Sequence, residues 1–234
     1  MDKLIDGMMW YVVFLLSTTV HEAAHAFTAM KLGDNTAYHG GQVSLDPVPH
    51  MRREPVGMVV VPIISFLMSG GWMMGWASTP YDPLWAERYP RRSAWMSLAG
   101  PVSNLLLVIS SSILIRIGIA AQVFVEPEYS SLTHVVAAAD PEGIFAGVAV
   151  IVSIMFSLNL VLFVFNLLPL PPLDGSGVLP LIMKEQHAVR YMNFINHSGF
   201  AMFGLFLAWN VFRPLFHPIH LMALNLLYPG AGYH

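Results

Sequence analysis

The sequence contains no cysteine and little charge. The missing cysteine excludes disulfide frameworks and thiolate metal sites, so a metal ion has only His, Asp and Glu to hold it. Only 11% of the 234 residues are Asp, Glu, Lys or Arg, against about a quarter in a typical soluble domain. That is too few to coat a water-facing surface. With 56% hydrophobic residues and a mean hydropathy of +0.60, the chain belongs in a membrane. Cationic excess is absent as well: 11 Lys+Arg stand against 14 Asp+Glu. This balance excludes a binder built on phosphate neutralisation, and no nucleic-acid partner is implied. No internal repeat or low-complexity tract breaks the chain.

What the chain has instead is long apolar runs. They cover residues 8–30, 56–76, 94–115, 144–168 and 199–212, with a weaker tail at 219–228. A hydrocarbon core of about 30 Å takes roughly 20 helical residues, which predicts an all-α polytopic membrane protein with about four to six transmembrane helices. The first run is too long for a signal-peptide core and no cleavage motif follows it, so a retained membrane helix is expected. Connections rich in Pro, Gly and Arg are too short for a separate soluble domain.

The informative residues interrupt these runs. His21-Glu22-Ala23-Ala24-His25 lies inside the first, where ionisable side chains are costly and mark function by default. Positions i and i+4 share a helix face, so His21 and His25 can present imidazoles to one metal ion while Glu22 reaches water at it. A catalytic zinc takes three protein ligands and leaves a fourth position open. Asp174, in the run Asn166-Leu-Leu-Pro-Leu-Pro-Pro-Leu-Asp174-Gly175, is the outstanding third candidate. Pro169, Pro171 and Pro172 stiffen the approach to it, and Gly175 lets the chain turn behind it. Each motif alone has a plain structural reading, as histidines bonded to carbonyls or as an Asp-Gly turn. Together they specify a site.

HEAAH in a first span, Ala99-Gly100-Pro101-Val-Ser-Asn104 opening a later one and FNLLPLPPLDG closing another resemble the site-2 protease family of intramembrane zinc metallopeptidases. The resemblance covers nearly the whole chain. Gly41-Gln-Val-Ser-Leu-Asp46-Pro47 and Gly75-Trp76-Ala77-Ser78-Thr79-Pro80 are similar to segments of the small prokaryotic type. The resemblance implies one zinc ion per chain on His21, His25 and Asp174, with Glu22 as catalytic base. It also implies Asn166 near the substrate carbonyl, where it can donate to a developing oxyanion; an interhelical hydrogen bond is the alternative. Residues 1–234 then form a single membrane-embedded metalloprotease domain of a prokaryotic cell membrane. Its partners are the lipid bilayer and a transmembrane protein substrate, and a homo-oligomer is compatible with it. Two departures stand out: Ser78 replaces the Lys of a more usual GWAKPVPV-like run, and Tyr89 precedes Pro90-Arg91-Arg92 where an Asn is usual. They bear on substrate rather than metal.

The meeting of His21, His25 and Asp174 sets a topology. HEAAH lies roughly 10 Å below the end of its span at 1.5 Å per residue, and Asp174 follows the run ending near Leu168. Those two helices must run in the same direction, with 94–115 antiparallel to both. The 56–76 run must then make no net crossing, or else cross fully and be offset by a second short crossing elsewhere. Its Gly70-Gly71 pair suits a re-entrant segment, allowed at membrane depth only where protein or water satisfies the backbone. Lys31, Arg52, Arg53, Arg88, Arg91, Arg92, Lys184 and Arg190 then share one side, against Lys3, Arg116 and Arg213. That bias places the active-site end toward the cytoplasm.

Residues 41–45 and 75–81 are expected to form short membrane-associated strands, whose edges around Val43, Trp76 and Ser78 pair with a locally unwound substrate. Asn104 and Gly100 are expected to pack closely against HEAAH, with orientation of a ligand histidine the alternative for Asn104. His50 reads as a solvated loop histidine, and Met73 and Met74 as core or lipid-facing residues. The competing class is a noncatalytic metal sensor or metal transporter using the same His and Asp ligands. Glu22 discriminates between them, because a transporter gains nothing from a base beside bound water.

Overall fold

At membrane depth a single segment satisfies its own backbone groups only as a helix. In the computed structural model, which describes residues 3–69, 71–197 and 201–233, this requirement produces α1 (Lys3–Lys31). It is followed by α2 (Thr36–His39), α3 (Pro47–Arg53), a π-helical turn (Val56–Val60) that runs into α4 (Val61–Ser69), and α5 (Pro83–Arg88). Next come α6 (Pro90–Ala120), β1 (Phe124–Val125), β2 (Ala137–Ala138) and α7 (Phe145–Asn166). The chain then forms α8 (Asp174–Val178), a 3-10 turn (Leu179–Leu181), α9 (Glu185–His197) and α10 (Ala201–Leu227). Among the described residues α1, α6 and α7 are the helices long and apolar enough to cross a membrane. Gly70, of the expected Gly70-Gly71 turn, and Gly199, at the start of the fifth run, lie outside the described residues. The short α3 and α5 both start on Asp-Pro: Asp46 and Asp82 accept from the N–H groups of Val48 and Leu84 at 2.9 Å, with proline in the first turn where its missing N–H does no harm.

Buried contacts fix the helix directions. Ser17, His21 and His25 of α1 meet Asn104 and Met96 of α6 in reverse order, so these helices are antiparallel. Trp10, Val13 and Phe14 pack with Val150, Ile154 and Leu158 of α7, and Ser17 meets Asn159, so α1 and α7 are parallel, as convergence of the ligands requires. Val108 and Ile115 of α6 pack with Val152 and Phe156. The last helix returns along α7: Ala208 packs with Leu168 and Leu173 at one end, and Leu224 and Leu227 join Phe124 and Val135 at the other.

After α4 the chain doubles back on itself. Trp72 N–H donates to Ser69 Oγ at 3.3 Å, Met74 N–H to Ser65 Oγ at 2.9 Å and Trp76 N–H to the Gly57 carbonyl at 3.1 Å. Residues 72–76 thus retrace the helical leg to its start. Met73, buried among Trp10, Phe14 and Ile154, anchors the hairpin against α1. The strands expected at 41–45 and 75–81 are not formed: the first is a turn and a series of bends and the second has no regular secondary structure. The physical reason is that 75–81 makes a single main-chain contact, Trp76 N–H on the Gly57 carbonyl, and beyond it meets side chains. Gln42 Nε2 donates to the Ser78 carbonyl at 3.5 Å, and Ser78 Oγ to Glu54 Oε1 at 2.5 Å. The strand pairing seen among the described residues is elsewhere, with Phe124 opposite Ala138 and Val125 opposite Ala137.

Asp34 closes the end of the bundle where these loops gather. Its buried carboxylate accepts from Thr36 N–H at 2.9 Å, Thr36 Oγ1 at 2.6 Å and Asp82 N–H at 2.9 Å. Asp34→Ala leaves the Asp82 N–H stranded and is expected to destabilise the protein by about 1–3 kcal/mol, measured by denaturation in detergent. Asp34→Asn, which keeps one acceptor oxygen, recovers part of the loss.

Candidate metal centre

His21 and His25 lie one helical turn apart on the buried face of α1, their rings edge-to-face with centroids 4.6 Å apart. Asp174, the first residue of α8, reaches them from the far end of the sequence. His21 Nε2 lies 3.0 Å from His25 Nε2 and 3.0 Å from Asp174 Oδ2, and His25 Nε2 lies 3.4 Å from the same oxygen. Zinc bonds of about 2.0–2.1 Å in a tetrahedron separate ligand atoms by about 3.3–3.4 Å. The triangle has the right size.

The protonation pattern agrees. His25 Nδ1 lies 2.7 Å from the Met96 carbonyl, and His21 Nδ1 lies 2.5 Å from Asn104 Oδ1. Both partners are acceptors, so both Nδ1 atoms carry a proton, and each neutral imidazole then points an Nε2 lone pair inward. Two lone pairs and a carboxylate oxygen facing one another at hydrogen-bond distance repel unless a cation lies among them. The donor set therefore fits zinc.

Two glycines let the walls close this tightly. A Cβ on Gly100 of α6 would collide with Nε2 of both His21 and His25, which accounts for glycine on the face opposite HEAAH. A Cβ on Gly175 would strike the carbonyls of Leu167 and Leu168. Gly175 is needed for close approach rather than for a left-handed turn, since its φ is not among the positive ones.

Glu22 is buried beside the triangle. The Thr79 hydroxyl lies 2.7 Å from Glu22 Oε2 and 2.9 Å from the Glu22 carbonyl, and its one proton serves either acceptor. Glu22, His25, Ser78, Thr79 and Asp174 share a cleft of about 440 Å³ with Met192 of α9. Burial raises the pKa of Tyr81, on the same cleft, above the ordinary phenol value. A larger cavity of about 820 Å³ lies at the other end of α1, around Trp10, Phe66 and Val150. It is mainly apolar and lacks the ligand triangle.

Not every expected site residue is at the cleft. Asn104 is fully buried and faces His21. Asn166 closes α7 and is not among the residues lining the cleft. Trp76 and Val43 are likewise absent from the lining, Trp76 being half exposed. His50 is corrected: it is buried, with Nε2 donating to the Ser44 carbonyl at 3.1 Å, because α3 folds its face inward. Three features escaped sequence reasoning. Thr79 carried no signal beyond its hydroxyl, the Met96 carbonyl carried none, and Asn159, which bonds Asn104 at 2.8 Å, showed only as a polar residue inside an apolar run.

With this geometry in place, comparison with known proteins is direct. The profile of "Peptidase family M50" matches residues 9–208. The chain belongs to this family. It is similar to "Putative zinc metalloprotease YwhC" of Bacillus subtilis (strain 168), 34% identical over 176 residues, covering 74% of this chain and 69% of that protein. It is similar also to "Putative zinc metalloprotease Rip2" of Mycobacterium tuberculosis (strain ATCC 25618 / H37Rv), 31% identical over 166 residues, covering 71% of this chain and 54% of that protein. The chain thus spans about half the length of the mycobacterial relative. No solved structure matches it.

Purified protein is expected to hold one zinc ion per chain, and His21→Ala or Asp174→Ala to hold much less than one, measured by metal analysis after dialysis. Gly100→Ala, which intrudes on both Nε2 atoms, is expected to weaken zinc binding with α1 and α6 still packed.

Proposed function

We propose that this member of peptidase family M50 is an intramembrane zinc endopeptidase that cuts a transmembrane segment of another membrane protein near the cytoplasmic leaflet. The observation that carries this reading is the convergence of His21, His25 and Asp174 to within 3.0–3.4 Å, with Glu22 on the same cleft. Zinc, when bound, supplies Lewis acidity, lowering the pKa of coordinated water from 15.7 to about 7. Glu22 accepts the proton of the attacking water and delivers it to the leaving amine. Thr79, donating to Glu22 Oε2, keeps that carboxylate at the cleft wall. Asn166 donates to the developing oxyanion, a contact worth about 2.7–4 kcal/mol in other hydrolases. Its place outside the cleft lining makes this a role that bound substrate completes.

The substrate's own helix is the second obstacle, since its scissile carbonyl is already hydrogen-bonded. Residues 75–81 offer a main-chain edge on which a locally unwound segment adds by pairing, with Trp76, Ser78 and Val43 as the residues that meet it. Such pairing demands little of the substrate sequence. The hairpin of 56–76 is read as re-entrant, supported by the bonds that return residues 72–76 to the level of Gly57. α10 is read as a fourth crossing, antiparallel to α7, although Asn210, Arg213, His217 and His220 dilute its apolar character. Eight basic residues then lie at the Glu22 end against three elsewhere, which orients that end toward the cytoplasm. Glu126, Glu128, Asp140 and Glu142 fall on the other side.

Glu22→Gln tests the chemistry. It is expected to retain zinc and to cut a model transmembrane substrate about 10²–10⁴-fold more slowly; parent-like cleavage by protease-free preparations overturns the reading. Single cysteines at Ser44 and Ser78 test the topology in intact cells. Both are expected to label from the same side, and labelling from opposite sides contradicts the re-entrant hairpin.

A further inference from the structure

A zinc-ligand role for His21 requires its lone pair to stay on Nε2. We propose that Asn159 is a positioning residue that, acting through Asn104, locks His21 in the Nδ1–H form. The inference rests on the reading of His21 as a zinc ligand.

The chain of contacts starts at a backbone carbonyl. Asn159 Nδ2 donates to the Met155 carbonyl, one turn back on α7, at 2.8 Å and to Ser17 Oγ at 2.9 Å. Both of its protons are then committed, and its Oδ1 faces α6, where it accepts from Asn104 Nδ2 at 2.8 Å. The second Asn104 proton faces the Ser17 carbonyl at 3.5 Å. That leaves Asn104 Oδ1 for His21 Nδ1, at 2.5 Å. An amide oxygen only accepts, so His21 donates from Nδ1, and the neutral ring then carries its lone pair on Nε2.

Each alternative arrangement meets a clash of like partners. A reversed Asn104 amide would present Nδ2 to His21 and force the proton onto Nε2, removing the lone pair a metal needs. It would also bring Asn104 Oδ1 against Asn159 Oδ1. Reversing Asn159 as well would set its oxygen against the Met155 carbonyl. The direction of the α7 backbone thus dictates which nitrogen of a histidine on α1 is available. Asn104, Asn159 and Ser17 are each 0% exposed, where an unsatisfied polar group is most costly. Packing alone would be served by leucine at lower cost. His25 takes its proton partner directly from the Met96 carbonyl and is independent of this relay, so the effect is specific to His21.

The experiment uses full-length protein in detergent micelles, with ¹⁵N-labelled histidine and zinc as the probe metal. In the zinc-free parent, ¹⁵N shifts are expected to show His21 protonated on Nδ1. Asn159→Leu is expected to raise the Nε2–H fraction of His21 without altering His25. It is also expected to weaken zinc binding about 10-fold in competition with a chelator, at the lower end of the range for such partners. Asn104→Leu weakens it at least as much, and the double variant is no worse than Asn104→Leu alone, because Asn159 acts through Asn104. Unchanged zinc affinity in Asn159→Leu, or losses that add in the double variant, overturn the proposal. If Asn159→Leu fails to fold, the parent spectrum decides: His21 protonated on Nε2 with Nδ1 bare overturns the relay. Unaltered zinc binding in His21→Ala would instead defeat the ligand reading on which the relay rests.

Discussion

Two imidazole nitrogens and a carboxylate oxygen held 3.0–3.4 Å apart within a largely apolar bundle form an arrangement that a shared metal ion makes favourable. Much of the fold serves that arrangement. His21 and His25 come from one helix, but Asp174 is 153 residues downstream of His21. It arrives only because α7 runs parallel to α1 and the proline-rich segment after α7 bends back over its end. α6 must run the other way between them, and it presents Gly100 where any side chain would displace the imidazoles. A metal site of this kind is a constraint on topology as much as on chemistry.

The same constraint explains why polar groups cluster inside the spans. Each ligand histidine needs an acceptor on Nδ1, and the bundle supplies two different kinds: a backbone carbonyl for His25 and a carboxamide for His21. A carbonyl in a helix has a fixed orientation. A carboxamide can turn over, so it requires a second group to fix it, and that group a third. The burial of Asn104, Asn159 and Ser17 follows from this regress, which ends at the Met155 carbonyl.

How much of this was legible in the sequence depends on whether the signal was local. HEAAH declares itself because the i, i+4 spacing and the membrane depth are both visible in five residues. Asp174 is visible through its prolines and its position after an apolar run. The parallel course of α1 and α7 followed from requiring the two motifs to meet. Asn159 was visible only as an out-of-place polar residue, since nothing in one sequence says which helix it faces. Thr79 and the Met96 carbonyl were invisible because their roles arise from tertiary placement. The strands expected at 41–45 and 75–81 failed for a related reason: a strand needs a run of main-chain bonds to another backbone, and here there is one, from Trp76 to Gly57, with the side chains of Gln42 and Glu54 meeting Ser78 beyond it. His50 was misjudged because a short amphipathic turn such as α3 can bury one face without any run of apolar residues.

The central claim is that one zinc ion is held by His21, His25 and Asp174. Zinc K-edge X-ray absorption on the purified protein tests it most directly. The account predicts a first shell of nitrogen and oxygen at about 2.0–2.1 Å, with the outer-shell scattering of two imidazoles and with the oxygen contribution reduced in Asp174→Ala. A shell with fewer than two imidazoles, or one unchanged by loss of Asp174, would contradict it.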